Sequence, residues 1–387
     1  MRKILLYLVI LFSFTGCQNY RELNDLAIVS GVSIAKIDEN YELTVEVVNP
    51  KKEQDASSSK ETDFIIYKNK SDSIQEAFRR MINEAPKKMY GAQIDILILD
   101  ENIVKENLKD IVDFFSRDPE VRSEFYVLVG KSDSILEVIT PFEKISSKNI
   151  LESLKSNSDY LGSANLVTFH DLIDNYLNDK IDLALPSIKL VGDAKSGSNN
   201  SNIASTDENV YSILDNIAIF KDNKLVGYLN EEDSKVYNLV KNNLNANLVK
   251  VDLENGEYII NEMVDIKSKV EVNPKKNSVT ITIDGKGAIS EAKYSGDLTK
   301  DKTIKKLENE LNKYTEDIVK SSILNVIKKY NSDIYGFEDM FYKKNCTYYK
   351  KNIKDNWDSY FKNLEIKVKS NIVIFEKGNL NGGLSYE

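Results

Sequence analysis

Apolar residues along this chain repeat with two different periods in turn, and this alternation limits the fold more than any single motif does. Residues 41–48 (YELTVEVV) alternate as a half-buried strand does, whereas residues 104–115 repeat apolar side chains every three or four positions, as a helix does. Strands and helices that follow one another in this way predict an α+β fold. Further strand patterns occur at residues 62–68, 93–99, 124–129, 217–229, 267–272, 278–283 and 364–375, and further helix patterns at residues 71–84, 150–161, 170–177, 232–244 and 303–330.

Three of these segments carry more specific signals. Ser71 is the expected N-cap of the helix at 71–84, and Asp222-Asn223 is the expected turn of a β-hairpin at 217–229. The helix at 303–330 has its apolar residues on one side, and a coiled coil is open as an alternative, although the pattern falls short of the usual three to four sustained heptads. Each signal predicts a local geometry as well as the type of element.

The composition excludes several classes of function. The chain has one histidine and two cysteines, so metal sites built from several such residues, and Ser–His or Cys–His catalysis, are nearly excluded. Its formal net charge of −9 argues against nucleic acid as a main partner, because phosphate binding needs a cationic surface. We therefore expect no metal, no cofactor and no nucleic-acid partner.

Residues 1–16 have the pattern of a secretory leader. Two cations precede an apolar run at residues 4–14, and two small residues follow it. As a helix this run would span about 16 Å, whereas the hydrocarbon core of a bilayer is about 30 Å thick. The run is therefore too short for a transmembrane helix and is typical of a signal peptide.

Cys17 follows the leader at the position where bacterial lipoproteins carry their acylated cysteine. The small residues before it resemble a lipobox, in which the thiol receives a diacylglyceryl group and the segment before it is cleaved. An ordinary secretory signal with an incidental cysteine is the alternative. Cleavage changes the formal charge from −9 to −11, so acyl chains, and not attraction to anionic headgroups, would hold the chain at a membrane.

The length and one polar stretch predict the domain organisation. At 387 residues the chain exceeds one ordinary core, and we expect a multidomain α+β protein with two to three mixed domains, each a β-sheet with packed helices. Residues 193–209 are rich in Ser, Asn, Asp and Gly and form the predicted linker, with a long loop inside one domain as the alternative. The N-terminal region is then 17–192, with room for two subdomains, and the C-terminal domain is 210–387.

No catalytic constellation is evident in the sequence. It contains no G-x-S-x-G elbow, no P-loop, no dinucleotide glycine fingerprint and no H-E-x-x-H motif. Asp95 and Asp100 flank a strand, and we interpret them as carboxylates at a strand edge rather than as an acid–base pair. The other candidates have structural interpretations: His170 at a helix start, Cys346 as an unpaired thiol with an intermolecular disulfide as the alternative, and Gly285, Gly287 and Gly296 as turn residues rather than a phosphate cradle.

Three further features stand out without indicating catalysis. In residues 117–122 (RDPEVR), Pro119 ends a helix, and the charges are either solvated or include an arginine that forks onto a carboxylate and fixes the loop. Trp357 lies four residues before Phe361, so the two side chains are expected on the same helix face. They form either a packing cluster or a partner-binding surface. Gly336 is expected to supply a left-handed residue in the turn after the longest helix.

Taken together, these segments resemble the Ger(x)C family, the lipoprotein C subunits of nutrient germinant receptors of spore-forming bacteria. They occur in the family's order over nearly the whole mature chain, with one departure at Gln18-Asn19, where the family usually has Trp-Asp. The matching elements are Cys17 with RELNDLAIV at 21–29, the run from Arg117 to Arg122, the hairpin IAIFKDNKLVGYL at 217–229, and Asp333-Ile334-Tyr335-Gly336-Phe337 followed by Trp357.

The resemblance implies a mixed α+β protein of about three domains, without established enzymatic activity. It also implies a site on the outer face of the spore inner membrane, where Cys17 carries the anchor and two integral-membrane receptor subunits lie beside the chain. We therefore expect a non-enzymatic, lipid-anchored subunit that acts in spore germination through assembly with those subunits.

Two other functions stay open at the level of sequence. A solute-binding lipoprotein of a transporter usually has two similar lobes joined by a hinge, whereas the two halves of this chain are dissimilar in pattern. A lipoprotein enzyme such as a wall hydrolase needs a paired acid and nucleophile in a cleft, and the sequence places no such pair.

Overall fold

The computed structural model describes residues 25–49, 62–106, 108–141, 144–204 and 210–376. In these ranges the chain has a multidomain α+β fold with three β-sheets, which confirms the predicted fold class. The leader predicted at residues 1–16 and the predicted lipidation site Cys17 lie outside the described residues.

The strands of the described ranges form three sheets of eight, three and four strands. Their orders are β3-β2-β1-β5-β6-β8-β9, with β4 beside the start of β1, then β11-β10-β7, and finally β12-β13-β14-β15. The strands are β1 (Leu26–Ile37), β2 (Asn40–Val48), β3 (Phe64–Ser71), β4 (Lys88–Tyr90), β5 (Ile96–Asp100), β6 (Tyr126–Gly130), β7 (Ala184–Leu185), β8 (Ser187–Val191), β9 (Tyr211–Leu214), β10 (Ala218–Lys221), β11 (Lys224–Tyr228), β12 (Ala246–Asp252), β13 (Tyr258–Asn273), β14 (Ser278–Lys293) and β15 (Glu365–Glu376).

The α-helices cover the sheets, and short 3₁₀ turns and one π-helical turn (Asn157–Leu161) connect them. In the described ranges the α-helices are α1 (Ile74–Arg80), α2 (Glu101–Glu106), α3 (Lys109–Arg117), α4 (Ser146–Ser156), α5 (Phe169–Leu177), α6 (Ala194–Gly197), α7 (Glu231–Val240), α8 (Asp301–Tyr330), α9 (Phe337–Lys344), α10 (Cys346–Asn352) and α11 (Trp357–Lys362).

The centre of the eight-stranded sheet is buried on both faces. β5 pairs in parallel with β1 and β6. Its Leu97 and Leu99 belong to one hydrophobic core, together with apolar residues of α1 to α3, whereas Ile96 and Ile98 belong to a second core with residues of α4. A strand with apolar neighbours on both sides needs no polar face, which explains the continuous apolar run ILIL in the sequence.

The three-stranded sheet lies between two cores. Ile217 and Ile219 belong to the core of the four-stranded sheet, whereas Ala218 and Phe220 belong to the core of the eight-stranded sheet, and all four side chains are fully buried. The predicted hairpin turn at Asp222-Asn223 is confirmed, since both residues have positive φ (50° and 62°), as a two-residue turn requires.

The four-stranded sheet confirms and extends the predicted C-terminal strands. β13 and β14 pair along most of their length, and β15 runs parallel to β14 as one continuous edge strand. The apolar stripe of α8, with Ile304, Leu307 and Leu311, is buried in the core of this sheet. The helix therefore packs on the sheet and not in a coiled coil.

Two glycine predictions are wrong. Gly285 and Gly287 lie inside β14 and not in turns, and a Cβ on Gly287 would come within 2.3 Å of the Asn261 side chain. The Gly287 position therefore lets a neighbouring strand place a buried amide against the backbone. Gly296 does follow β14, in the connection to α8.

The helix predicted at residues 71–84 is shorter in the structure than predicted, and its N-cap lies two residues later than the predicted Ser71. The helix is α1, and Ser73 is its N-cap, with a hydroxyl that accepts the N–H of Glu76 at 3.5 Å. Ser71 cannot serve as the cap because it ends β3, and its hydroxyl instead donates to the Glu76 carboxylate at 2.7 Å. A 3₁₀ turn at Met81–Asn83 follows α1.

The single helix predicted at residues 104–115 is two helices, α2 and α3. α2 packs beside β11, whereas α3 packs against α1 through Phe114 and Phe78, whose ring centroids are 6.4 Å apart. The two helices therefore contact different neighbours. The predicted apolar stripe is nevertheless buried at all five positions: Val104, Leu108, Ile111, Val112 and Phe115.

The stretch predicted as a linker, residues 193–209, has regular structure in its described part. It contains α6 and a 3₁₀ turn at Asn200–Ile203. Asn202 is buried there, and its amide donates to the carbonyls of Ile139 at 3.0 Å and Val210 at 2.8 Å. Beyond the stretch, β9 pairs with β8 of the first sheet. The domain boundary at this stretch stays a prediction.

One side chain of α8 completes the hydrogen bonding of the edge strand β15. The Asn312 side-chain oxygen accepts the N–H of Ile372 and the hydroxyl of Ser370, both at 2.7 Å, and its amide group donates to the Ile372 carbonyl at 2.9 Å. Backbone groups at an uncovered strand edge are otherwise left to water or to another strand.

We predict that Asn312→Ala lowers the free energy of unfolding by about 1–3 kcal/mol, because partly buried groups of β15 lose their partner. Denaturant unfolding of the variant and the parent measures this cost. The matched control is Asn325→Ala, an exposed position of the same helix, which should stay within about 0.5 kcal/mol of the parent. Equal costs for the two variants would contradict this role of Asn312.

Candidate functional site

The segment after α8, Ser332 to Glu338, contacts parts of the chain that are distant in sequence. The Asp333 N–H donates to the Asp182 carboxylate at 2.7 Å, and the Asp182 N–H donates to the Asp333 carbonyl at 3.1 Å. The Ser332 hydroxyl donates to the Phe220 carbonyl at 2.5 Å. We call this group of contacts the junction: it joins the segment before β7, the central hairpin and the C-terminal helices.

The Asp333 carboxylate holds the start of α9. One of its oxygens accepts the N–H groups of Gly336 and Phe337, both at 3.0 Å, and the other accepts the N–H of Glu338 at 2.7 Å. Gly336 is the N-cap residue with φ +76°, which confirms the predicted left-handed glycine. A Cβ at this position would also lie 3.3 Å from Ile181, so the turn requires glycine for two reasons.

Burial shifts the pKa values of the acidic and the basic groups of the junction in opposite directions. Asp333 is 2% exposed, and burial raises its pKa to about 7, although the three backbone N–H donors favour the ionised form. Burial lowers the pKa of Lys241, whose ammonium donates to the Tyr335 carbonyl at 3.4 Å. Asp182 accepts from the Lys221 ammonium at 3.2 Å. Burial thus disfavours the charged forms of both Asp333 and Lys241.

Aromatic side chains fill the space beneath the junction. Tyr335 is fully buried and stacks on Phe337, with ring centroids 5.3 Å apart, and Tyr237 of α7 lies 5.9 Å away. Trp357 and Phe361 stack at 5.4 Å and are likewise buried. The packing alternative for Trp357 is therefore confirmed, and its indole does not form an exposed partner-binding surface.

The arginines of the 117–122 segment, one of which could fix the loop by binding a carboxylate, lie at the surface. Arg117 does fork onto a carboxylate, with Nε 2.8 Å from both oxygens of Asp113, but Asp113 lies one turn back on α3 and both side chains are largely exposed. Such a pair contributes little to stability. Arg122 is exposed.

Other contacts hold the loop after α3. The Asp118 carboxylate accepts the Glu120 N–H at 2.9 Å, and the Lys88 ammonium donates to a Glu120 carboxylate oxygen at 2.6 Å. The prediction that an arginine fixes this loop is therefore wrong, because the carboxylate within reach of Arg117 belongs to its own helix.

An open groove of about 890 Å³ lies between α1 and α3. Apolar side chains form much of its lining, and the two charged pairs at Arg117 and Lys88 lie along it. Its apolar lining consists of Ile74, Phe78, Ile82, Met89, Phe114, Pro119 and Val121. The groove brings the 117–122 segment to the surface, and on its lining the Tyr41 hydroxyl donates to the Asp110 carboxylate at 2.5 Å.

The remaining candidate residues lie apart from the junction and the groove. Within the described ranges no three His, Cys, Asp or Glu side chains are placed to hold a metal ion. His170 is the second residue of α5, exposed, with Nε2 3.7 Å from Asp174. Cys346 begins α10 as a free, partly buried thiol. Asp95 precedes β5 and Asp100 is its last residue, and burial raises the pKa of both carboxyl groups.

Several residues of the site were not predicted. Asp182 and Lys221 carry no local signal, because Asp182 lies 151 residues from its partner Asp333 and 39 residues from its partner Lys221. Glu46 occupies a position of β2 that alternation predicts to face solvent, yet it is fully buried. Its carboxylate accepts the Ser30 hydroxyl at 2.7 Å and the Ser147 N–H at the start of α4 at 3.2 Å.

None of the described helices is long and apolar enough to cross a bilayer.

Family models match two successive parts of the chain. Residues 19–190 match the spore germination protein N-terminal domain, and residues 215–378 match the spore germination B3/GerAC-like C-terminal domain. The elements at residues 21–29 and 117–122 lie in the first match, those at 217–229 and 333–357 lie in the second, and Cys17 precedes both.

Relatives that match over nearly the whole chain are also named as spore germination proteins. Spore germination protein KC of Bacillus subtilis (strain 168) is 26% identical over 403 residues, with 100% of this chain and 98% of the relative covered. Spore germination protein GerQC of Bacillus cereus is 23% identical, with 98% and 99% covered. The crystal structure of the GerBC protein has a TM-score of 0.52 at 16% identity and covers 89% of this chain and 97% of its own, which shows a shared fold.

We predict that Asp333→Asn changes how stability depends on pH. The pKa of Asp333 is raised from 3.8 to about 7 by folding, so the folded state holds the proton more tightly. Its contribution to the free energy of unfolding is therefore present below about pH 4 and is lost as pH rises to about 7. Denaturant unfolding between these limits should show the advantage of the parent over Asp333→Asn shrinking as pH rises. A growing advantage would mean that the backbone donors outweigh burial.

Proposed function

The chain belongs to the Ger(x)C family of spore germination proteins, and from this premise we propose that it is a non-enzymatic, lipid-anchored subunit of a nutrient germinant receptor. The observation that carries the proposal is the order of the matches: a lipobox-like leader, then the N-terminal and C-terminal germination domains over residues 19–190 and 215–378. Relatives that match over nearly their whole length, and are named as germination proteins, support it.

We propose that the folded part works through surfaces and not through chemistry. The buried polar groups of the junction bond to the backbone and to one another, and the larger groove is lined by apolar side chains and surface ion pairs. The partners in this proposal are integral-membrane receptor subunits. The acyl chain on Cys17 would hold the chain at the outer face of the spore inner membrane.

We also propose that the domain boundary lies in residues 193–209. The N-terminal family model ends at residue 190 and the C-terminal model begins at residue 215, which supports this position. The junction then lies between the two parts, because Asp182 precedes the boundary and Asp333 follows it.

The solute-binding alternative has less support. The eight-stranded and four-stranded sheets differ in strand number, order and helix packing, whereas a two-lobed binding protein needs two similar halves about a hinge. The segment Ile217–Phe220, in and just before the middle strand of the three-stranded sheet, contributes buried side chains to both cores, which disfavours an open cleft for a solute at this strand.

We predict that Cys17→Ala abolishes both acylation and membrane retention of the full chain. A metabolic fatty-acid label such as a palmitate analogue should enter the parent and not the variant, and fractionation of spores should move the variant out of the inner-membrane fraction. The matched control is Cys346→Ala, which changes the other cysteine and should keep both the label and the location.

Retention of Cys17→Ala in the inner membrane at parental level, in spores that lack the other receptor subunits, would contradict the anchor. Label on the variant would show that another residue is acylated.

A further inference from the structure

The outer edge of the four-stranded sheet has a regular backbone pattern. The Glu365 N–H donates to the Asn277 carbonyl at 3.0 Å, so the odd-numbered residues at the start of β15 turn their backbone groups toward β14. Because backbone groups alternate direction along a strand, the even-numbered residues turn theirs away from the sheet. The even-numbered residues therefore form the exposed edge of β15.

Helix α8 covers the second half of this edge with a series of side chains. The N–H groups of Ser370, Ile372 and Ile374 donate to side-chain oxygens at 2.9, 2.7 and 3.0 Å. These acceptors are spaced four residues apart on one face of the helix: Glu316, Asn312 and Glu308. The outward N–H groups of these three residues are thus all satisfied by α8.

The series ends where the next two positions cannot accept a hydrogen bond. Lys320 and Leu324 follow Glu316 at the same spacing, and an ammonium or an alkyl group has no acceptor. Both are exposed and line an open cleft of about 450 Å³ with Ile366 and Val368. In the part of the chain that the structure describes, no strand pairs with β15 on this side, so the outward N–H and C=O groups of Ile366 and Val368 have no protein partner.

We propose that this uncovered stretch, residues 365–369 (EIKVK), pairs antiparallel with the same stretch of a second copy of the chain. A two-fold axis at Lys367 places Ile366 opposite Val368 of the second copy, and each such pair exchanges two backbone hydrogen bonds. The axis generates two such pairs and four hydrogen bonds. The paired stretch ends at Ser370, where the α8 side chains begin.

Charge complementarity selects a second copy as the partner. In this register Glu365 lies opposite Lys369 of the second copy on the solvent-facing side, and the axis repeats the pair. The two Lys367 side chains meet at the axis, and each is already paired with Glu365 of its own strand, with Nζ and Oε2 3.1 Å apart. Lysines on an edge strand otherwise act to prevent pairing, and a strictly monomeric chain would show that they do so here.

The test uses charge exchange at the two ends of the stretch. The full chain is purified in density-matched detergent, and sedimentation equilibrium measures the dimer dissociation constant. Glu365→Lys or Lys369→Glu alone places two like-charged pairs across the axis and should raise that constant about tenfold, whereas the double exchange should restore it. The matched control is Lys269→Glu on β13, an exposed lysine in an ion pair with Glu271, which should leave the constant unchanged.

Val368→Pro gives an independent readout. Its N–H points away from β14, so proline leaves the bonds between β14 and β15 intact but removes two of the four proposed bonds between copies. The variant should keep the parent's circular dichroism and lose dimer. A parent that stays monomeric at the highest concentration it tolerates, a double exchange that does not restore dimer, or a folded Val368→Pro variant that dimerises as the parent does would each overturn the proposal.

Discussion

A small sheet that is apolar on both faces determines how the rest of this molecule is arranged. Alternate residues in and just before its central strand belong to different cores, Ile217 and Ile219 to one and Ala218 and Phe220 to the other. Each core thus uses the same short strand as part of its wall, so neither large sheet can separate from it without exposing fully buried side chains. At about 25 cal/mol per Å² of apolar surface, such exposure is costly. The junction at Asp182 and Asp333 closes this arrangement at the end of the strand, through the Ser332 contact with Phe220.

This arrangement bears on the proposed function. A receptor subunit that passes on a change at one surface needs its parts to move together or to have two discrete arrangements. The three-stranded sheet favours parts that move together, because it connects the N-terminal and C-terminal cores directly. The junction adds polar contacts between residues on both sides of the proposed domain boundary. Among the described residues, the groove beside α3 and the free edge of β15 are two surfaces open to partners.

Much of the fold could be predicted from the sequence, because period-two and period-3.6 patterns reflect which side of each element is buried. The hairpin turn, the long helix and the left-handed Gly336 were predicted for local reasons and are confirmed. The errors came from tertiary context. Ser71 has the chemistry of a cap but belongs to a strand, and Gly287 lies within a strand because the Asn261 side chain needs the space. Local pattern gives no information on such neighbours.

The site was less predictable than the fold. The segment Asp333–Phe337 was recognised by its resemblance to a family, but its partner Asp182 could not be, since a contact across 151 residues leaves no periodic signal.

The proposed function depends on assembly with membrane subunits, and co-purification tests this most directly. The tagged chain is extracted from spore membranes in mild detergent, and co-eluting proteins are identified and quantified by mass spectrometry. The account predicts two multi-span membrane proteins in constant ratio to the chain. Elution of the chain without any multi-span protein would contradict it.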